Sequence, residues 1–158
     1  MNNVRILRYV DHFREVYDGS PWYGDNIVTK LGNLTDDTAL ARPVQGMHSV
    51  GEVVSHMTYW RQSVISRLQK DSSFQASVNS EDNWKDLARL KAEGWEAVHR
   101  AFVTSQEQLV RVLSQQSDDI LDQEYSDGRT YDYLIRGVIN HDVYHLGQIG
   151  LIRKFVTG

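Results

Sequence analysis

Cysteine is absent from the 158 residues of the chain. That excludes disulfides, thiolate metal ligands and a cysteine nucleophile. It also suits a reducing compartment, which makes the cytoplasm the expected location. Proline is scarce, with two residues against eleven glycines, so no low-complexity linker is in view. No apolar run approaches the ~18 residues that mark a membrane span. The opening stretch from Met1 to Arg8 lacks the apolar core of a secretory signal. A positive excess is missing too: 17 basic and 21 acidic residues leave a formal charge of −4. A nucleic-acid surface needs clustered Lys and Arg to displace phosphate counterions, so that balance argues against one. The expectation is a cytoplasmic protein with no nucleic-acid and no membrane partner.

Apolar residues make up 41% of the chain and charged residues 24%, a globular balance. The length fits a single domain over residues 1–158. Helical periodicity dominates. Val4, Leu7, Val10, Phe13 and Tyr17 mark a first amphipathic helix. Asp18-Gly19-Ser20-Pro21 interrupts it, and Ser20 is placed to cap a new segment with Pro21 at its first position. Ile27, Leu31 and Leu34 continue that segment, and Thr35-Asp36-Asp37 caps a further short turn before Arg42-Pro43. Ser49-Val50-Gly51-Glu52 is a capping box opening a helix through about Lys70, with Val50, Val53, Met57, Trp60, Val64 and Leu68 on its apolar face. Residues 71–83 read as a loop. A third helix is predicted over 84–115, interrupted only by Gly94, a blemish worth about 1 kcal/mol. A second loop spans 116–129. Thr130 caps a last helix over 131–156, whose Leu134, Val138, His141, His145, Gln148 and Ile152 fall on one stripe. No segment alternates apolar and polar residues for long, so no sheet is expected. The fold class is all-α: a four-helix bundle with short accessory helices after the first helix.

His141 and His145 stand on that stripe where the pattern asks for Leu or Ile. Residues four apart on a helix have Cβ atoms about 5–6 Å apart on one side. Two imidazoles so placed can share one divalent ion at ~2.0–2.1 Å per bond. The competing reading is a pair of core or interface histidines, each bonded to a carbonyl or hydroxyl. His56 lies between Val53 and Trp60 at helical spacing and also faces inward. Three histidines converging from two helices are harder to explain without an ion, since each carries two ring nitrogens that need partners.

Three stretches carry a resemblance: Ser20-Pro21-Trp22-Tyr23-Gly24, His48-Ser49-Val50-Gly51-Glu52-Val53-Val54-Ser55-His56, and Gly137 through Ile149 with its HDxYHxGQI core. In this order, and over almost the whole chain, they resemble the DinB-like superfamily of bacterial metal-binding four-helix bundles. The resemblance implies a three-histidine site at His56, His141 and His145. It implies a divalent cofactor, zinc or nickel foremost, with iron or manganese as the other ions of the family. Some relatives are S-transferases that use bacillithiol or mycothiol, one branch isomerises maleylpyruvate, and many are homodimers. Gly51 departs from the many relatives that carry an aromatic residue there, a difference that touches packing rather than ligation.

Three neutral ligands leave an ion with open positions, as catalytic sites do. Such a position can hold water and lower its pKa to ~7, or a thiol and stabilise its thiolate. With no Cys in the chain, that thiol must be a low-molecular-weight cosubstrate. Gln148, one turn past His145, is the candidate to hydrogen-bond metal-bound water or substrate; the alternative is an amide that satisfies core partners. Glu52 could orient His56, although its capping box is the cheaper explanation. Asp142 is read as a salt-bridge or helix-contact residue and Tyr144 as packing in preference to lining a pocket wall, while Trp60 is core or the floor of a pocket. Trp22, Tyr23 and Asn26 follow the break after the first helix, and the family pattern puts them near the metal. His48 is read as packing, and His12 and His99 as surface or interface residues. Arg8, Arg14, Lys85, Lys91 and Arg100 are read as solvated. The expected function is a metal-dependent transferase, thiol S-transferase-like, or a hydrolase acting on a small-molecule substrate, in a homodimer. The alternatives are a non-catalytic metal- or ligand-binding stress-related dimer, and a structural helical dimer whose histidines need no metal.

Overall fold

A computed structural model describes residues 3–157; Met1 and Asn2, part of the stretch read above for a signal, and Gly158 lie outside the described residues. The axis of the molecule is α4 (Val50–Leu68), of whose 19 residues only Thr58, Trp60, Gln62 and Arg67 are not buried. A helix apolar or buried on all sides needs partners around it. Three others supply them: α1 (Val4–Tyr17), α6 (Trp95–Ser114) and α7 (Tyr131–Val156). Contacts run α4 to α6, α6 to α1, α1 to α7 and α7 back to α4, which closes a four-helix bundle. Short α2 (Ile27–Leu31), α3 (Asp36–Ala39) and α5 (Leu87–Glu93) are the accessory helices. No helix among the described residues is long and apolar enough to cross a membrane.

Several helix starts follow from local chemistry. Ser49 Oγ accepts the Glu52 N–H while Glu52 Oε2 accepts the Ser49 N–H, so the capping box at α4 is complete. Thr130 caps α7, and Thr35 with Thr38 boxes α3. Asp118, in a 3-10 turn over Asp118–Asp122, accepts the free N–H groups of Arg5 and Ile6 at the start of α1.

Four expectations need correction. Ser20 and Pro21 start no helix; Asn26 caps α2 instead, accepting from Thr29 N–H and donating to the Gly19 carbonyl. The helix predicted over 84–115 is two helices, because Gly94 takes φ 81° and ψ 151° and ends α5. Its left-handed φ is open to glycine at little steric cost. The freed Trp95 N–H then bonds to Asp36 Oδ1 at 2.7 Å, so Gly94 is a joint rather than a blemish. On α1 the buried face is Ile6, Val10, Phe13 and Val16, while Val4 is 58% and Leu7 41% exposed. The expected stripe shares Val10 and Phe13 with this face and departs from it at the ends, where Ile6 and Val16 are buried instead. A sheet also exists, a two-stranded antiparallel ribbon of β1 (Glu124–Ser126) and β2 (Arg129–Thr130). Its turn residues Asp127 and Gly128 both have positive φ, as a tight hairpin demands. Strands of three and two residues are too short to display alternation. At Gly51, an added Cβ would stand 2.5 Å from Leu40 Cδ2, so close packing accounts for the missing side chain.

Candidate metal centre

Helices α4 and α7 bring His56, His141 and His145 together, with one ligating nitrogen of each within 4.8 Å of the others. His56 and His145 are buried and His141 is half-buried. The Nε2 atom of His141 lies 3.0 Å from that of His56 and 3.1 Å from that of His145. Two nitrogens bound to one ion at ~2.0–2.1 Å stand roughly 2.9–3.4 Å apart, depending on the coordination angle. The cluster therefore has the spacing of adjacent corners of a coordination shell.

The other ring nitrogens fix what these atoms present. His56 Nδ1 is 2.8 Å from the Asn83 carbonyl oxygen, which only accepts, so Nδ1 carries the hydrogen. His145 Nδ1 is 2.7 Å from Gln148 Oε1 and donates in the same way. Both Nε2 atoms then offer lone pairs toward His141. One N–H on His141 Nε2 can satisfy only one of them. An extra proton is disfavoured: burial pulls the His56 imidazole down to about 4 and that of His141 to about 3, and the neighbouring histidines push in the same direction. Burial lowers His145 as well, although its bond to Gln148 opposes this. A divalent cation satisfies three converging lone pairs at once, and three neutral imidazoles are the donor set that zinc, nickel or a related ion accepts. The three histidines can hold such an ion.

A family model described as the DinB superfamily matches residues 25–149. The chain belongs to the DinB superfamily. Comparison with curated proteins and with solved structures returns no match.

The other predicted residues of this DinB superfamily protein sort by what they touch. Gln148 bonds to His145 Nδ1, so its amide orients an imidazole. Glu52 does not reach His56. Burial pushes its carboxyl up, but hydrogen bonds from Arg42, Ser49 and His48 outweigh this and hold it at about 2. The capping reading stands, and the orienting role belongs to the Asn83 carbonyl. Asp142 pairs with Arg61 in the core, as its place off the stripe indicated. Trp22 is 97% exposed and Tyr144 is exposed rather than packed. His12 is exposed, and His99 is half-buried against Trp95. Lys85 is tied to Glu93, whereas Arg8 and Lys91 are exposed.

Trp84, the first residue of the helix predicted over 84–115, is the functional neighbour that periodicity misplaced. It sits on the loop before α5, its ring stacked 3.8 Å from His56 on one side and 4.1 Å from His48 on the other. It shields one face of His56 from water. The available signal was position: Asn83-Trp84 closes a polar loop, and both residues turn inward. Trp60 lies edge-on to His56 and His141, with centroids 6.4 and 6.5 Å away. It walls a cavity of about 320 Å³ that also includes His141, Arg67, Tyr125, Arg129 and Tyr133. Trp60 thus takes the pocket role rather than the core one.

Proposed function

We propose that this DinB superfamily protein binds a divalent cation through His56, His141 and His145 and acts on a small molecule, as a thiol S-transferase-like transferase or as a hydrolase. The observation that carries the reading is the convergence of three imidazole Nε2 atoms beside a cavity that shares His141 with them. A cation held there supplies Lewis-acid activation of a nucleophile, a cosubstrate thiol in the transferase and water in the hydrolase. The chain's own residues do the positioning. Asn83 and Gln148 aim two imidazoles, Trp84 keeps water from the face of His56, and Trp60 supports the substrate from the cavity wall. Zinc and nickel are the first candidates, then iron and manganese. The proposal places the protein in the cytoplasm as a homodimer, with the exposed row Tyr144, Leu151 and Phe155 on α7 as the surface to test by light scattering.

Metal content measured after zinc or nickel loading tests the site. The expected result is about one ion per chain in the native protein and near none in His141→Ala, with helicity retained because the core is large elsewhere. Unchanged metal content in the variant would refute the ligand assignment. For the reaction, metal-loaded protein is offered bacillithiol, mycothiol or glutathione with a model electrophile, and separately an ester. Metal-dependent thiol loss supports the transferase, and ester turnover without thiol supports the hydrolase. One observation favours a second reading, a non-catalytic binding protein: no Asp or Glu lines the cavity to serve as a general base. Tight ligand binding without turnover of either probe selects that reading.

A further inference from the structure

We infer that the cavity beside the three histidines selects a carboxylate-bearing ligand with an aromatic or otherwise apolar body, held by Arg67 and Arg129. Its being the substrate rests on the proposed function; the anion selectivity itself does not. The starting point is a local reversal of charge. The chain carries a formal charge of −4, yet this cavity is lined by two arginines and no acidic residue. Neither guanidinium has a carboxylate within salt-bridge distance among the described residues, whereas Arg5, Arg42, Arg61 and Arg89 all do. Arg67 commits Nη1 to Ser63, which leaves Nε and Nη2 without a protein partner. The Arg129 side chain has no hydrogen-bond partner among the described residues.

The two cations are nonetheless positioned. Arg67 lies over the ring of Tyr125 and Arg129 over that of Tyr133, each 5.4 Å from the centroid. Stacking on an aromatic face orients a guanidinium while its in-plane N–H groups remain available. The ribbon β1–β2 thereby acquires a purpose, because Tyr125 and Arg129 both come from it. The same cavity is lined by Trp60, Val64, Leu134 and Val138, a surface for the uncharged part of a ligand. A planar fork of N–H donors matches a carboxylate in two-pronged fashion, and half-shielded surroundings strengthen that bond. A cavity of about 320 Å³ admits a ligand of one or two rings.

The experiment is calorimetric titration of 2-naphthoate and its neutral isostere 2-naphthamide, first into protein stripped of metal by chelation. In that form a carboxylate preference cannot arise from a cation at the histidines. The expected result is naphthoate binding roughly ten- to a hundredfold tighter than naphthamide, the span of one or two charge-assisted hydrogen bonds. That preference should weaken with added salt and fall to near unity in the Arg67→Gln/Arg129→Gln double variant. Should the Arg67 change disturb folding, Arg129→Gln alone reads the effect, since its exposed side chain supports no core packing. Equal affinities in the native protein, no binding of either probe, or a preference that survives loss of the arginines would overturn the inference. Zinc content of the same samples separates the two readings. Selective naphthoate binding by a protein that takes up no zinc defeats the metal site but leaves the anion site standing, and the converse result defeats the anion site alone.

Discussion

Two polar clusters are buried between α4 and α7, and adjacent residues, His141 and Asp142, belong to different ones. In the first, Arg61 Nε and Nη2 both bond to Asp142 Oδ2, at 3.0 and 2.8 Å, with each side chain about 1% exposed. The guanidinium also sits 4.1 Å over the Phe102 ring. The charges are opposite and answer each other, although Arg61 Nη1 and Asp142 Oδ1 keep no hydrogen-bond partner among the described residues. In the second, three imidazoles of the same kind face one another; the outer nitrogens of His56 and His145 are spent on Asn83 and Gln148, and that of His141 has no partner among the described residues. Among the described residues, none answers the three inward Nε2 atoms together. Burial is similar; complementarity is not. A buried polar group answered from within supports the fold, and a buried set answered by nothing marks a place for a guest.

The sharpest way to break that comparison is to open the closed cluster. Asp142→Ala leaves the Arg61 charge buried without a partner, and about 3–5 kcal/mol of folding stability should be lost. Urea unfolding measures it. A loss below about 1 kcal/mol would mean that Arg61 is answered elsewhere and that the two clusters are less different than they look. The second test uses acid on the metal-free protein. His56 and His141 stay neutral in the fold, at about 4 and about 3, whereas unfolded histidine titrates near ~6.5. As pH falls below ~6.5 the unfolded chain takes up protons that the native state refuses, so stability declines. It levels only once the native values are passed. The decline should reach roughly 2 kcal/mol per histidine by about pH 5. Denaturation midpoints that stay flat between pH 7 and 5 would remove the claim that these imidazoles are held neutral.

Much of this was legible beforehand because helices announce themselves in local chemistry. The capping box at Ser49, the caps at Thr35 and Thr130 and the stripe through His141, His145 and Gln148 needed only residues close in sequence. The histidine cluster was legible for the same reason, since an unexpected residue on a regular stripe stands out. What stayed hidden depends on contacts far apart in sequence. Gly94 ends a helix because Asp36, 58 positions earlier, takes the next N–H. Trp84 covers His56 because a polar loop folds over α4, and no period encodes that. The ribbon that delivers Arg129 is too brief for alternation to register. The metal cluster could thus be found on the helices, while the cavity beside it had to be seen.

The last pair of tests separates support for the fold from support for the site, using Gln148 and the Ser49 partner of Glu52, since the sequence left Gln148 and Glu52 with rival roles. Gln148→Leu removes the acceptor for His145 Nδ1–H and touches no cap. Zinc affinity, read by competition with a chromophoric chelator, should fall about 10–100-fold with little change in unfolding. Ser49→Ala does the reverse. It breaks the box with Glu52, whose carboxylate is turned toward Arg42 and His48 and away from His56. The expected effect is about 1 kcal/mol of stability and no change in zinc affinity. A Ser49→Ala protein that binds zinc more weakly would show that the start of α4 sets the position of His56 almost two turns further on. The fold and the guest site would then be one cooperative unit, and the contrast between the two buried clusters would be one of degree.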